Sequence, residues 1–118
     1  MHRPNLIQSF IHAAKGLYYS VHGERNMIIH LIISISVVVM AYLLHLDKIE
    51  FIIILICIAL VLVTETINTA FEYMVDLFHG AKIDPIVKIL KDVSSAAVLI
   101  ASIFSAIVGI LIFYPRLI

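Results

Sequence analysis

Apolar runs and short polar breaks divide the chain into four helical stretches. Residues 27–46 carry only His30 and His45 as ionisable groups. At about 1.5 Å per residue they reach roughly 30 Å, the thickness of a bilayer's hydrocarbon core. The break HLDKIE leads into a second run over 50–78. Its first part, FIIILICIALVLV, is purely apolar, and its second, TETINTAFEYMVDLF, is not. The connection HGAKIDP is broken by Gly80 and Pro85. A third run over 88–114 then carries Lys88, Lys91 and Asp92 in its first turns, becomes apolar, and ends at Pro115. Ahead of all three, residues 5–22 are amphipathic. Leu6, Ile7, Phe10, Ile11, Ala14, Leu17, Tyr18 and Val21 recur at helical spacing, opposite Asn5, Gln8, Ser9, His12, Lys15 and His22. That stretch is too polar to span and suits a helix lying on the membrane surface, with Gly23 as its stop.

The pattern predicts an all-α integral membrane protein: one domain over 1–118, three transmembrane helices and an N-terminal amphipathic surface helix. Composition agrees. Hydrophobic residues make up 63% and charged residues 14% of the 118, and the mean hydropathy is +1.12. A chain this short cannot bury so much apolar surface within itself. A soluble enzyme, a disordered tail and a disulfide scaffold are excluded. Eight Lys/Arg balance eight Asp/Glu, leaving no basic excess for nucleic acid. Cys57 is the one cysteine and reads as a small apolar residue of the core or lipid face. MHRPNLIQSF lacks the apolar stretch of a signal peptide, so the chain is expected to be mature as it stands. Arg3, Lys15, Arg25, Lys82, Lys88 and Lys91 fall on one side of the membrane, and Lys48 and Arg116 on the other. This asymmetry places the N-terminus and the second connection in the cytosol.

The chemistry gathers between Thr64 and Asp76. With Glu65 as angular zero, about 100° per residue puts Asn68 near −60°, Glu72 near −20°, Asp76 near +20° and Thr69 near +40°. The polar groups form one stripe, and Ile67, Ala70, Phe71, Met74 and Val75 fill the rest. Carboxylates on a membrane helix need partners, protons or a metal. A solvated helix end accounts for Asp76. It does not account for Glu65, about 11 residues or roughly 16 Å deeper.

On the third helix Lys88, Lys91, Asp92 and Ser95 share a face. A seam of small residues (Ala101, Ser102, Ser105, Ala106, Gly109) follows and suits close helix packing. Lys91 suits either an interfacial anchor or a phosphate contact. Glu24 opens the first span as an ordinary helix cap, yet it stands at the surface where Glu72 and Asp76 emerge. Mg²⁺ is often held by one or two carboxylates plus substrate phosphates, and Glu24 and Glu72 would supply such a pair. The six histidines show no metal-ligand spacing and read as packed or interfacial. Neither GxxxxGK[ST] nor GxGxxG occurs.

Glu24-Arg25-Asn26-Met27-Ile28-Ile29-His30, the run from Glu65 through Asn68 and Glu72 to Asp76, and Lys91-Asp92-Val-Ser-Ser-Ala-Ala-Val-Leu99 together resemble the small prokaryotic membrane lipid kinases. These are the diacylglycerol and undecaprenol kinases, and the likeness reaches from Lys15-Gly16-Leu17 to the third span. The ERNMIIH run, the Lys88–Lys91 spacing and the absence of Trp look more like the Gram-positive undecaprenol kinase branch. The resemblance implies a homotrimer in the bacterial inner membrane that uses ATP and Mg²⁺ at the cytosolic surface. It implies Glu65 as catalytic base, Glu24 and Glu72 as metal ligands, and Glu24, Glu72, Asp76, Lys91 and Asp92 around ATP. Glu65, Asn68 and Ser95 then line the site of the lipid hydroxyl. Undecaprenol is the favoured substrate and diacylglycerol the alternative. A small ion-coupled transporter, with one buried glutamate as proton carrier, is the rival of a different class.

Overall fold

The structure, a computed structural model, describes residues 3–79 and 84–118, the side chain of His79 aside. The expected break at Gly80 and the cationic Lys82 lie outside the described residues. Four helices follow in order: α1 (Leu6–Gly23), α2 (Arg25–Leu43), α3 (Lys48–His79) and α4 (Pro85–Leu117). The last three are long and apolar enough to cross a membrane.

Each helix starts where local chemistry permits. Asn5 caps α1 reciprocally with Gln8: the Gln8 amide donates to Asn5 Oδ1 at 2.8 Å and the Asn5 amide to Gln8 Oε1 at 3.0 Å. Asp84 caps α4, accepting from the Ile86 amide at 2.9 Å, with Pro85 in the first turn where its missing N–H costs nothing. The α2 C-terminus closes with the His45 amide donating to Tyr42 O at 3.2 Å and the Leu46 amide to Ala41 O at 3.1 Å. His45 takes the left-handed conformation that this closure requires (φ 55°).

The chain is a flat slab, 52 × 40 × 20 Å. α3 runs through its middle, packed most extensively on α4 and then on α2. Few side chains are buried. Ala41, Ile54 and Phe113 form a small core at the Lys48 end of α3. Large apolar residues such as Ile35, Leu60, Phe104 and Ile110 stay exposed along the three long helices, as a lipid-facing or subunit-facing surface demands. α1 also turns its apolar stripe outward. Leu6, Ile7 and Phe10 are exposed, and Ser20 is its one buried residue.

Two details depart from the sequence reading. Pro115 does not end α4, which runs on to Leu117. The turn beyond it brings Arg116 to the α2–α3 connection, where Nη1 donates to His45 O at 3.1 Å and to Leu44 O at 3.4 Å, and Nη2 pairs with Glu50. Gly23 belongs to α1, and the break falls on Glu24 alone, whose extended backbone (φ −133°, ψ 119°) serves both helices. Tyr73 Oη fills the space that a Cβ on Gly23 would need, so α3 packs directly under this corner.

Candidate active site

One residue of extended chain turns α1 into α2, and it carries a carboxylate. Glu24 is the N-cap of α2 but makes no capping hydrogen bond with its side chain. Its carboxyl lies against that of Glu72 on α3. Partial burial, then Glu72, then Glu65 and Asp76, hold the Glu24 pKa above the ordinary carboxylate value. The local signal for a cap is thus overridden by a cross-helix acidic pair.

Below this pair α3 presents the rest of its stripe. Glu65 is 1% exposed, Thr69 2% and Asn68 6%. Asn68 Nδ2 donates to Glu72 Oε1 at 3.4 Å. Among the described residues Glu65 Oε1, Asn68 Oδ1, Thr69 Oγ1 and Ser102 Oγ are buried without a hydrogen-bond partner. Thr64 and Thr66, on the same helix, return their hydroxyls to the carbonyls of Leu60 and Leu62 at 2.8 and 2.7 Å. Unpaired buried polar atoms are costly, about 1–3 kcal/mol each, and mark places where something else binds. Glu65, Asn68 and Ser102 belong to the lining of a cavity of about 300 Å³, with Asn26, His30, Ser95, Val98 and Leu99.

The structure distributes the remaining predicted residues. Lys91 Nζ donates to Asp76 Oδ1 at 2.6 Å, tying α4 to α3, and neither residue lines the cavity. Asp92 stands apart: it is exposed and pairs with Lys88 at 2.7 Å. Ser95 lines the cavity while its hydroxyl donates to Asp92 O at 3.0 Å. Three groups enter that sequence reasoning did not select. His30 Nε2 lies 3.6 Å from Glu65 Oε2, and Asn26 and Ser102 line the same cavity. Asn26 and His30 stand four residues apart on one face of α2, a spacing that carried the only advance signal.

Among the described residues no three His, Cys, Asp or Glu side chains close around one point. The donors at Glu24 and Glu72 are nonetheless carboxylate oxygens that lie against each other. That chemistry fits Mg²⁺, which is seldom held in an all-protein cage.

Fold and site define a small multi-pass membrane protein whose polar cavity lies between apolar helices. The chain matches the prokaryotic diacylglycerol kinase family over residues 11–113 and belongs to it. It is 39% identical over 114 residues to the diacylglycerol kinase of Synechocystis sp. (strain ATCC 27184 / PCC 6803 / Kazusa), covering 97% of this chain and 65% of that relative. It is 36% identical over 110 residues to the undecaprenol kinase of Bacillus subtilis (strain 168), covering 93% of this chain and 89% of that relative. The chain thus spans just under two thirds of the Synechocystis protein. No solved structure gives a significant match. The family is one of membrane lipid kinases, which implies ATP as phosphoryl donor.

Proposed function

We propose that this chain transfers the γ-phosphoryl group of ATP to the hydroxyl of a membrane lipid alcohol, undecaprenol in the first instance. The observation that carries the reading is Glu65: a carboxylate 1% exposed, with Oε1 unpaired, on a cavity between apolar helices. A lipid hydroxyl reaches such a base from within the bilayer. The Glu65 carboxylate takes the hydroxyl proton as the lipid oxygen bonds to the γ-phosphorus and the bond from phosphorus to the leaving ADP breaks, with Val98 and Leu99 as the apolar part of the cavity wall. Asn68 and Ser95 orient the hydroxyl. Lys91, held by Asp76, offsets phosphate charge, and Asp92 is the outermost of the residues assigned to ATP.

Glu24 and Glu72 are the residues that would hold Mg²⁺. The ion supplies charge neutralisation at the phosphate oxygens when bound. The assembly in this reading is a homotrimer in the bacterial inner membrane, its N-terminus and site on the cytosolic side. The Lys/Arg distribution supports that orientation, with six residues against two. Undecaprenol is placed before diacylglycerol on the ERNMIIH run and the Lys88–Lys91 spacing, and the two relatives, at 36% and 39% identity, carry one name each.

The test is γ-labelled ATP with purified protein in mixed micelles, undecaprenol and diacylglycerol being offered separately. Label in undecaprenyl phosphate is the expected result. Label only in phosphatidate moves the substrate and keeps the chemistry. No label in either, from folded protein, removes the kinase reading and brings forward the ion-coupled transporter.

A further inference from the structure

The proposed chemistry uses Glu65 and leaves His30 without a role, although its imidazole lies beside that carboxylate. His30 lies in the apolar run of α2, with its side chain 20% exposed, and Nε2 is 3.6 Å from Glu65 Oε2. The two Glu65 oxygens are therefore unequal: Oε2 lies 3.6 Å from an imidazole nitrogen, and Oε1 is buried with no hydrogen-bond partner among the described residues. From α4 the same cavity receives the uncharged Ser95 and Ser102, and from α2 the amide of Asn26. His30 and Ser102 also line a second cavity of about 300 Å³ that continues between the membrane-spanning helices, walled by Ile33, Val37, Ile58 and Val61. His30 thus stands where the polar pocket meets an apolar one.

We infer that His30 is a positioning residue for the base. Its Nε2–H donates to Glu65 Oε2 and fixes the rotamer in which the carboxylate meets the substrate hydroxyl. Contacts of this kind are often long in the unliganded state and tighten when the reacting complex forms. The inference rests on Glu65 acting as base, so its test separates the two. The Nε2–H tautomer of the neutral imidazole and the imidazolium both donate from Nε2. What the site needs from His30 is a donor at this position rather than a charge.

The experiment compares wild type, H30A, H30Q and E65Q, with the double variant H30A/E65Q, in the labelled-ATP assay. Oligomeric state and thermal unfolding are recorded for each. A lost charge-assisted hydrogen bond at a reacting group lowers kcat by about 10- to 100-fold. H30A is expected to fall in that range with KM for lipid and ATP little changed. H30Q, which keeps a side-chain N–H, is expected to regain most of the loss. In the E65Q background H30A is expected to add no further loss, since both substitutions act on one group. Wild-type kcat in H30A, equal impairment of H30A and H30Q, or full additivity with E65Q would each overturn the role of His30. Should H30A not be recovered folded, H30Q decides: near-wild-type kcat supports donation and a 10- to 100-fold loss opposes it. Activity surviving in E65Q strikes instead at the base itself.

Discussion

Replacing Asn68 with leucine should make the protein more stable and inactive. The side chain is 6% exposed; Oδ1 is buried without a partner, and Nδ2 makes one long bond, 3.4 Å, to Glu72. An unsatisfied buried acceptor costs about 1–3 kcal/mol, and a weak hydrogen bond contributes about 0.5–1.5 kcal/mol. Leucine has nearly the same shape, fills the same space and removes both. The balance favours the variant by about 1 kcal/mol, or about 5 °C in a chain of this size. Glu72, being only partly buried, replaces the lost donor with water. Thermal unfolding in detergent micelles, followed by circular dichroism, measures the first effect. Lipid phosphorylation measures the second, and it should fall to background. A natural protein retains so costly a group because function uses it. A clear loss of stability in Asn68→Leu, or retention of turnover, would refute that reasoning.

Two further outcomes follow from the ends of the bundle. Glu24 has a folded-state pKa above its ordinary value of 4.5, so the folded chain binds protons more readily than the unfolded one there. That contribution to stability is complete below about pH 4.5 and is lost as pH rises through the raised value; Mg²⁺ added near neutral pH should restore it in wild type and not in Glu24→Gln, as unfolding scans against pH with and without Mg²⁺ would record. Arg116→Ala releases the carbonyls of Leu44 and His45 and the Glu50 carboxylate. After discounting for partial exposure it should cost about 1–2 kcal/mol in thermal unfolding, with kcat unchanged because the site lies at the other end of α3.

The architecture was legible because lipid is a strict solvent. A single segment satisfies its own backbone there only as a helix, so length and apolarity identify the three long elements. The stripe was legible because Glu65, Asn68 and Glu72 share a helix, and about 100° per residue puts them on one face. What escaped needed the relation between helices. His30 sits among isoleucines and leucine, and its partner Glu65 comes from another element whose register against α2 no local pattern encodes. Glu24 follows the rules for a cap and makes no cap bond, because a tertiary neighbour claims its carboxylate. Lys88, Lys91 and Asp92 share a face as read, but the i, i+4 pair Lys88–Asp92 closes on itself while Lys91 crosses to Asp76. Pro115 signals a stop, yet the helix continues for the turn that delivers Arg116 to the α2–α3 connection.

Glu65 is the residue on which the account turns, and Glu65→Gln is its most direct test. Glutamine keeps the volume and the cavity and removes the ability to accept the hydroxyl proton. Turnover of γ-labelled ATP into phosphorylated lipid, measured on protein shown to be folded, should fall by about 10²- to 10⁴-fold, the range of a lost general base. Thermal stability should hold or rise, since a buried carboxylate is replaced by a neutral amide. Near-wild-type turnover in Glu65→Gln would contradict the account.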